Sequence, residues 1–130
     1  ALDVRLDVRR GDGPKPCFNY TMASIATTDA LIARAPDAAA AAVRAIVQTQ
    51  KALRADPERA TAVAKKLFPA SEAALIAELI RRDLPYYDAS ITPGFVSGMN
   101  QFARDIGILR GNPRYEDIVA TQFQPLWNES

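Results

Sequence analysis

The chain has 130 residues, which fits one domain, and its 48% apolar and 24% charged residues are typical of a folded globular protein rather than a disordered or membrane-embedded one. Sixteen Lys and Arg residues against 15 Asp and Glu leave a formal net charge of only +1, which argues against nucleic acid as a partner. One cysteine and no histidine exclude an internal disulfide, the usual Cys/His zinc sites and catalysis by a Ser-His or Cys-His pair. This removes several enzyme classes. Because the sequence also shows no paired carboxylates, no nucleophile with a base and no metal-ligand set, we expect no enzyme, no metal and no cofactor.

Two antiparallel strands are predicted at the start of the chain. Residues 2–9 alternate between apolar and charged side chains, as in a strand with one buried face. A Gly- and Pro-rich turn follows at 11–16, and the β-compatible side chains of residues 17–25 predict the second strand. An isolated pair of strands is marginal in water. Because the chain also begins without Met, we expect a fragment whose sheet is completed by an absent part of the protein or by another copy.

Five to six helices are predicted after residue 26. Residues 27–29 can cap a first short helix, and an Ala-rich amphipathic helix is predicted over 37–55. Asp56 is the predicted N-cap of the next helix and Pro57 its first residue, because proline suits the first helical position. That helix is expected to end before the next proline.

Three further helices are predicted in the second half of the chain. Ser71 is the predicted N-cap of one that Pro85 closes. Thr92 caps another, for which Gly107 is the residue after the C-terminus. A last short helix is predicted at 115–121. The apolar stripes expected to be buried on the first two of these helices are Leu75, Ile76, Leu79, Ile80 and Leu84, and Val96, Met99, Phe102, Ala103 and Ile106.

Short motifs occur in a characteristic order along nearly the whole chain. They are Arg9–Pro14, Phe18–Thr21, Ala26–Asp29, Ala45–Val47, Lys66–Pro69, Arg82–Asp88, Phe102–Arg104 and Tyr115–Phe123, followed by Trp127. This succession resembles the C-terminal part of the bacterial periplasmic solute-binding proteins that deliver nitrate, taurine or sulfonates to ABC importers.

The resemblance implies an α/β protein of two lobes joined by a hinge, with the ligand in the cleft between them. Residues 1–26 would be a strand pair that crosses the hinge, and residues 27–130 the helical part of the first lobe. The implied role is capture of a small anion or zwitterion in the periplasm, free or lipid-anchored outside the inner membrane. The implied partners are that small-molecule ligand, an ABC permease in the membrane and the N-terminal half of the same protein. Related enzymes of thiamine-pyrimidine synthesis use a histidine and a cysteine cluster, which this sequence lacks.

Four residues near the start are candidates for ligand binding. Arg10 falls in the register of the apolar strand face, so it either grips an oxyanion at the cleft or hinge, or is exposed at the strand end, paired with Asp12. Asn19, Tyr20 and Thr21 offer amide and hydroxyl groups on a strand that would face the cleft, although Tyr20 also suits a core.

A second function remains open on the same residues. The chain could be a free-standing helical interaction domain that forms homodimers through its strand pair. Unpaired strand edges and uncovered apolar surface also predict that the isolated segment self-associates.

Overall fold

The computed structural model describes residues 12–13 and 24–128. Helix accounts for 73% of these residues and none of them forms a strand, which confirms a mainly α chain. The two predicted strands, 2–9 and 17–25, lie outside the described residues except for Ser24 and Ile25, which have no regular secondary structure.

The described residues divide into two units. The first contains residues 12–13, 24–26 and 91–122, and the second contains residues 27–90 and 123–128. The chain therefore enters the second unit, leaves it for the first, and returns to it.

Four α-helices lie in the described part of the second unit. They are α1 (Asp29–Arg34), α2 (Pro36–Ala55), α3 (Glu58–Leu67) and α4 (Ala70–Asp83). A 3-10 helix, Leu84–Tyr86, contains Pro85 and follows α4 directly. The helix order of the sequence analysis is confirmed, and each of these bounds lies within two residues of the predicted one.

Polar side chains begin two of these helices as predicted. The Oγ1 of Thr28 accepts a hydrogen bond from the N–H of Leu31 at 3.2 Å, at the start of α1. At the start of α3, Oδ1 of Asp56 accepts from the N–H of Glu58 at 3.0 Å. Each bond satisfies a backbone donor that has no partner inside its helix.

The prediction that Ser71 is the N-cap of α4 is wrong. The helix begins one residue earlier, at Ala70, and the residue before it is Pro69 with an extended ψ of 153°. Proline has no side-chain acceptor, so α4 starts without a side-chain cap. Ser71 lies inside the first turn, where its backbone is already helical.

α3 and α4 pack together through small side chains. Ala64 on α3 is 3% exposed, and Ala73 and Ala77 on α4 are 1% and 4% exposed. Alanines at a contact let two helix backbones approach closely, and the short connection between the helices favours this pairing. The prediction that Leu75 and Leu79 are buried is wrong, because they lie on the opposite side of α4 and are 56% and 37% exposed. The other members of the predicted stripe are half-buried.

The first unit is built around α5 (Pro93–Asp105) and the short α6 (Tyr115–Ile118). The Oγ1 of Thr92 accepts from the N–H of Phe95 at 3.2 Å, as its predicted capping role requires. Gly107 follows α5 with a φ of +78°, the left-handed conformation expected of a residue just after a helix.

Only one side of α5 is covered within the described part of the first unit. Val96 on α5 and Val119 after α6 are buried. Phe102 and Ile106, which the sequence pattern predicts as buried, are 39% and 53% exposed. α6 has only four residues, so it covers one face of α5 and leaves the others to solvent. A second 3-10 helix, Thr121–Asn128, leads back into the second unit.

Candidate functional site

The four predicted ligand residues, Arg10, Asn19, Tyr20 and Thr21, lie outside the described residues. Their role as ligand residues therefore stays a prediction. The described residues present two grooves, both in the second unit, and neither was singled out from the sequence.

The first, here called the cationic groove, runs along α2 and has a volume of about 340 Å³. Its rim holds Arg44, Gln48 and Lys51, which share one face of the helix because they are four and three residues apart. Arg44 and Lys51 are positively charged, and no lining residue is acidic. The rest of the lining is apolar: Val47, Ala52, Ala55 and Leu126. The groove therefore suits a ligand or segment that joins a negative group to an apolar body.

The second, here called the apolar groove, lies between α2, α3 and α4 and has a volume of about 310 Å³. Its only charged lining residue is Arg59, whose Nε is 3.8 Å from Oδ2 of Asp56. Val63 and Phe68 line it and are 54% and 45% exposed. The other lining residues are Thr49, Ala52, Leu53, Ala60, Ala64, Ile76 and Ile80. An open apolar surface of this kind suits side chains of a protein segment better than a polar solute.

The two groove linings together consist of apolar, amide, hydroxyl and cationic side chains. Neither lining contains a carboxylate or a thiol, which are common general bases and nucleophiles in sites without histidine. Among the described residues, no three Asp, Glu, Cys or His side chains converge as metal ligands. Within the same residues, no helix is long and apolar enough to cross a bilayer.

Two arginines tie the helices around the grooves together. Arg81 near the end of α4 donates to Oε1 of Glu58 at the start of α3, as expected of an antiparallel helix pair. This hydrogen bond is the main cause that holds the pKa of the Glu58 carboxyl below its ordinary value of 4.5. Arg54 in the last turn of α2 donates to the backbone carbonyl of Tyr87. Both contacts are exposed, and their role is to hold helix ends in place.

The first unit has its own polar network at the two ends of the 106–114 connection. The guanidinium of Arg114 donates to both carboxylate oxygens of Asp117, at 2.7 and 3.1 Å. This contact holds the pKa of Asp117 below its ordinary value of 3.8. Arg104 bridges Oε1 of Gln101 and Oδ1 of Asn112, both at 3.0 Å. These bonds fold the connection against α5 and α6.

The sequence does hold a signal for the cationic groove. Arg44, Gln48 and Lys51 follow the spacing of a single helix face, next to the buried Val47. No pattern in the sequence predicts that Leu126 lines the same groove, because it lies in a distant part of the chain. No protein-family model, no curated protein and no solved structure matches this chain.

Proposed function

We propose that this chain is the C-terminal part of a periplasmic solute-binding protein that captures a small anion or zwitterion, such as a sulfonate, nitrate or taurine, for an ABC importer. The observation that carries the proposal is the ordered succession of motifs from Arg9–Pro14 to Trp127, which covers nearly all of the sequence. In the intact α/β protein, residues 1–26 cross the hinge and residues 27–130 belong to the first lobe. The role is binding without catalysis.

The helical architecture supports this proposal. The helices occur in the order and close to the bounds that the motif-bearing sequence predicts. Several motifs stand at helix boundaries, including Lys66–Pro69 between α3 and α4 and Arg82–Asp88 at the end of α4. Such boundary positions are where a family would keep the same residues for the sake of turn geometry.

The apolar groove also supports the proposal. Its half-exposed Val63 and Phe68 cost free energy when they face water, and a further element of a larger protein would remove that cost. The proposed N-terminal half of the receptor is the candidate for that element. In this view the described helices pack on the remainder of the lobe, and the solute is held elsewhere, in the cleft.

In the proposed cleft, Arg10 binds the oxyanion of the solute. Its position in the register of an apolar strand face calls for a negatively charged partner. Asn19, Tyr20 and Thr21 supply hydrogen-bonding groups around the same solute. A charged hydrogen bond of this type contributes about 1.5 to 3 kcal/mol, which corresponds to roughly a ten- to hundredfold change in affinity.

The test is calorimetric titration of the intact receptor with nitrate, taurine and alkyl sulfonates. We expect Arg10→Ala to weaken binding of the preferred solute by about ten- to hundredfold, and Arg9→Ala, on the charged face of the predicted strand, to leave it unchanged. Equal affinities of the wild type and Arg10→Ala would remove Arg10 from the site. Absence of binding to all three classes of solute would refute the proposed ligand class.

The second candidate, a helical interaction domain that forms homodimers, is favoured by a different observation. The leucines on the outer side of α4 are exposed although the helix is well packed on its other side. The strand pair first expected to form that dimer lies outside the described residues. The exposed leucines offer a second surface for such a dimer, on the described helices.

A further inference from the structure

Helix α4 has two apolar faces, and only one of them is covered. The inner face packs on α3 through Ala73 and Ala77. Leu75 and Leu79 project from the other side and are 56% and 37% exposed. Neighbouring exposed leucines on one helix face form a small contiguous apolar patch, which a partner helix could cover.

Two charged residues extend this outer face in both directions. Glu72 lies one turn before Leu75, and Arg82 lies one turn after Leu79. At 3.6 residues per turn, all four side chains fall within about 80° of the helix circumference. We call these four residues, Glu72, Leu75, Leu79 and Arg82, the outer seam.

The spacing of the outer seam is that of a coiled-coil core. Its members are separated by three, four and three residues, the pattern by which successive core positions stay on one side of a helix that faces a partner helix. The two central positions are leucines and the two terminal positions carry opposite charges. A single helix thus presents the core positions of a short two-helix contact.

The outer seam is complementary to itself in one orientation only. When two copies of α4 lie antiparallel, Leu75 of each faces Leu79 of the second copy, and Glu72 of each faces Arg82 of the second copy. When they lie parallel, Glu72 faces Glu72 and Arg82 faces Arg82, which places like charges opposite each other. We propose that this chain forms a two-fold symmetric dimer in which the outer seams of two α4 helices pack antiparallel.

The surroundings of Arg82 are compatible with this arrangement. Its Nε and Nη2 donate to the two carboxylate oxygens of Asp83, at 2.8 and 3.1 Å, and its side chain is 53% exposed. A guanidinium has five N–H donors in a planar fork and can serve two carboxylates at once. In the dimer, Arg82 lies between Asp83 of its own copy and Glu72 of the second copy.

The dimer is weak and reversible. Two leucines and two charged residues per copy form a short contact, at or below the small end of the roughly 1,200–2,000 Å² of total surface that stable specific interfaces bury. A dissociation constant on the order of 100 µM fits such a contact. The inference does not rest on the proposed solute-binding role, since α4 carries none of the proposed ligand residues and self-association is measured without any solute.

The experiment is sedimentation equilibrium of the whole chain at concentrations up to about 1 mM, several times the expected dissociation constant. Glu72→Arg and Arg82→Glu are tested separately and as an equimolar mixture. Each variant alone brings two pairs of like charges together, so dimerisation is expected to weaken at least about tenfold. In the mixture, a heterodimer restores both opposite-charge pairs, because Arg at 72 faces Glu at 82 and Glu at 72 faces Arg at 82. Recovery of dimer on mixing shows that the charges at positions 72 and 82 act across the interface. The double variant Glu72→Arg/Arg82→Glu tests the register, because its homodimer keeps both opposite-charge pairs when antiparallel and brings like charges together when parallel. We expect this double variant to dimerise like the wild type, and a loss as large as in the single variants would overturn the antiparallel arrangement.

Ala74→Arg is the control, because it adds a positive charge at an exposed position of the same helix, about 120° from the centre of the outer seam. It is expected to leave the dimer unchanged, and circular dichroism checks that every variant keeps its helix content. A wild type that stays monomeric up to about 1 mM overturns the inference and leaves the leucines to be covered by another part of a longer protein. A mixture that associates no better than its components, or an equal loss in Ala74→Arg, also overturns it.

Discussion

The contact between α3 and α4, the most extensive one between described helices of the second unit, makes a testable prediction. Ala77 of α4 is 4% exposed and faces α3, where Ala64 is 3% exposed. Replacing Ala77 with leucine adds three carbon atoms at a position where there is no solvent to receive them. The two helices must then move apart or the leucine must adopt a strained rotamer, and such overpacking costs typically about 1–3 kcal/mol.

The control for this change is Ala74→Leu. Ala74 is one turn from Ala77 on the same helix, but its side chain is exposed. Leucine and alanine have similar helix propensities, so this substitution is expected to change the free energy of unfolding by less than about 0.5 kcal/mol. The pair of variants therefore separates the effect of packing from the effect of adding an apolar side chain.

The measurement is urea and thermal unfolding followed by the helical circular dichroism signal. For a unit of this size, each kcal/mol lowers the melting temperature by about 4–8 °C. We expect Ala77→Leu to melt clearly below the wild type and Ala74→Leu to melt with it. If the two variants melt at the same temperature, the α3–α4 contact is looser than the alanine packing requires, and the reasoning fails.

Three smaller changes test individual contacts. Thr92→Ala removes the hydroxyl that accepts from the N–H of Phe95, so it should lower the free energy of unfolding by about 1 kcal/mol in a urea titration, while Thr92→Ser should restore most of it. Gly107→Ala should lower the free energy of unfolding by about 1–2 kcal/mol, because a φ of +78° strains any residue with a Cβ. No atom lies within 4 Å of the added carbon, so the cost comes from the backbone alone, and an unchanged urea midpoint would contradict this. The pKa of the Glu58 carboxyl is lowered in the folded protein, so the Arg81 contact stabilises the fold above the ordinary value of 4.5 and loses its effect as the pH falls through the lowered pKa. Arg81→Gln should raise the Glu58 midpoint toward 4.5 in an NMR titration, and an unmoved midpoint would mean that the ion pair does not persist in solution.

Local signals in the sequence were sufficient for most helix boundaries. Side chains that can accept a hydrogen bond from a backbone N–H predicted a helix start within residues 27–29, where Thr28 is the cap, and further starts at Asp56 and Thr92. Such capping depends only on residues two or three positions away. Gly107 was predicted for the same reason, since a left-handed residue after a helix favours glycine. The prediction of Ser71 as N-cap was wrong because Pro69, two residues earlier, is the extended residue that precedes the helix.

The choice of buried face was harder to predict than the helix itself. Hydrophobic periodicity favours large residues, so it selected Leu75 and Leu79 as part of the core of α4. The structure instead buries Ala73 and Ala77, because close approach of α3 requires small side chains. Which of two apolar stripes is inside depends on the size of the facing residues, and that information lies in another helix.

The binding surfaces were the least predictable part of the molecule. The cationic groove combines a helix face that could be read from spacing with Leu126, which reaches it from the other end of the chain. Periodicity within one segment cannot show such a long-range contribution. The residues proposed for the cleft, including Arg10, stay predictions of the sequence.

The return of residues 123–128 to the second unit has a consequence for synthesis of the chain. Val47 and Leu126 are both buried and line the same groove, but the residues of the first unit, 91–122, are translated between them. A nascent chain therefore carries α2 without Leu126 beside Val47 until residues 123–128 have left the ribosome. During that interval α2 is a site for chaperone binding or for premature association between neighbouring nascent chains.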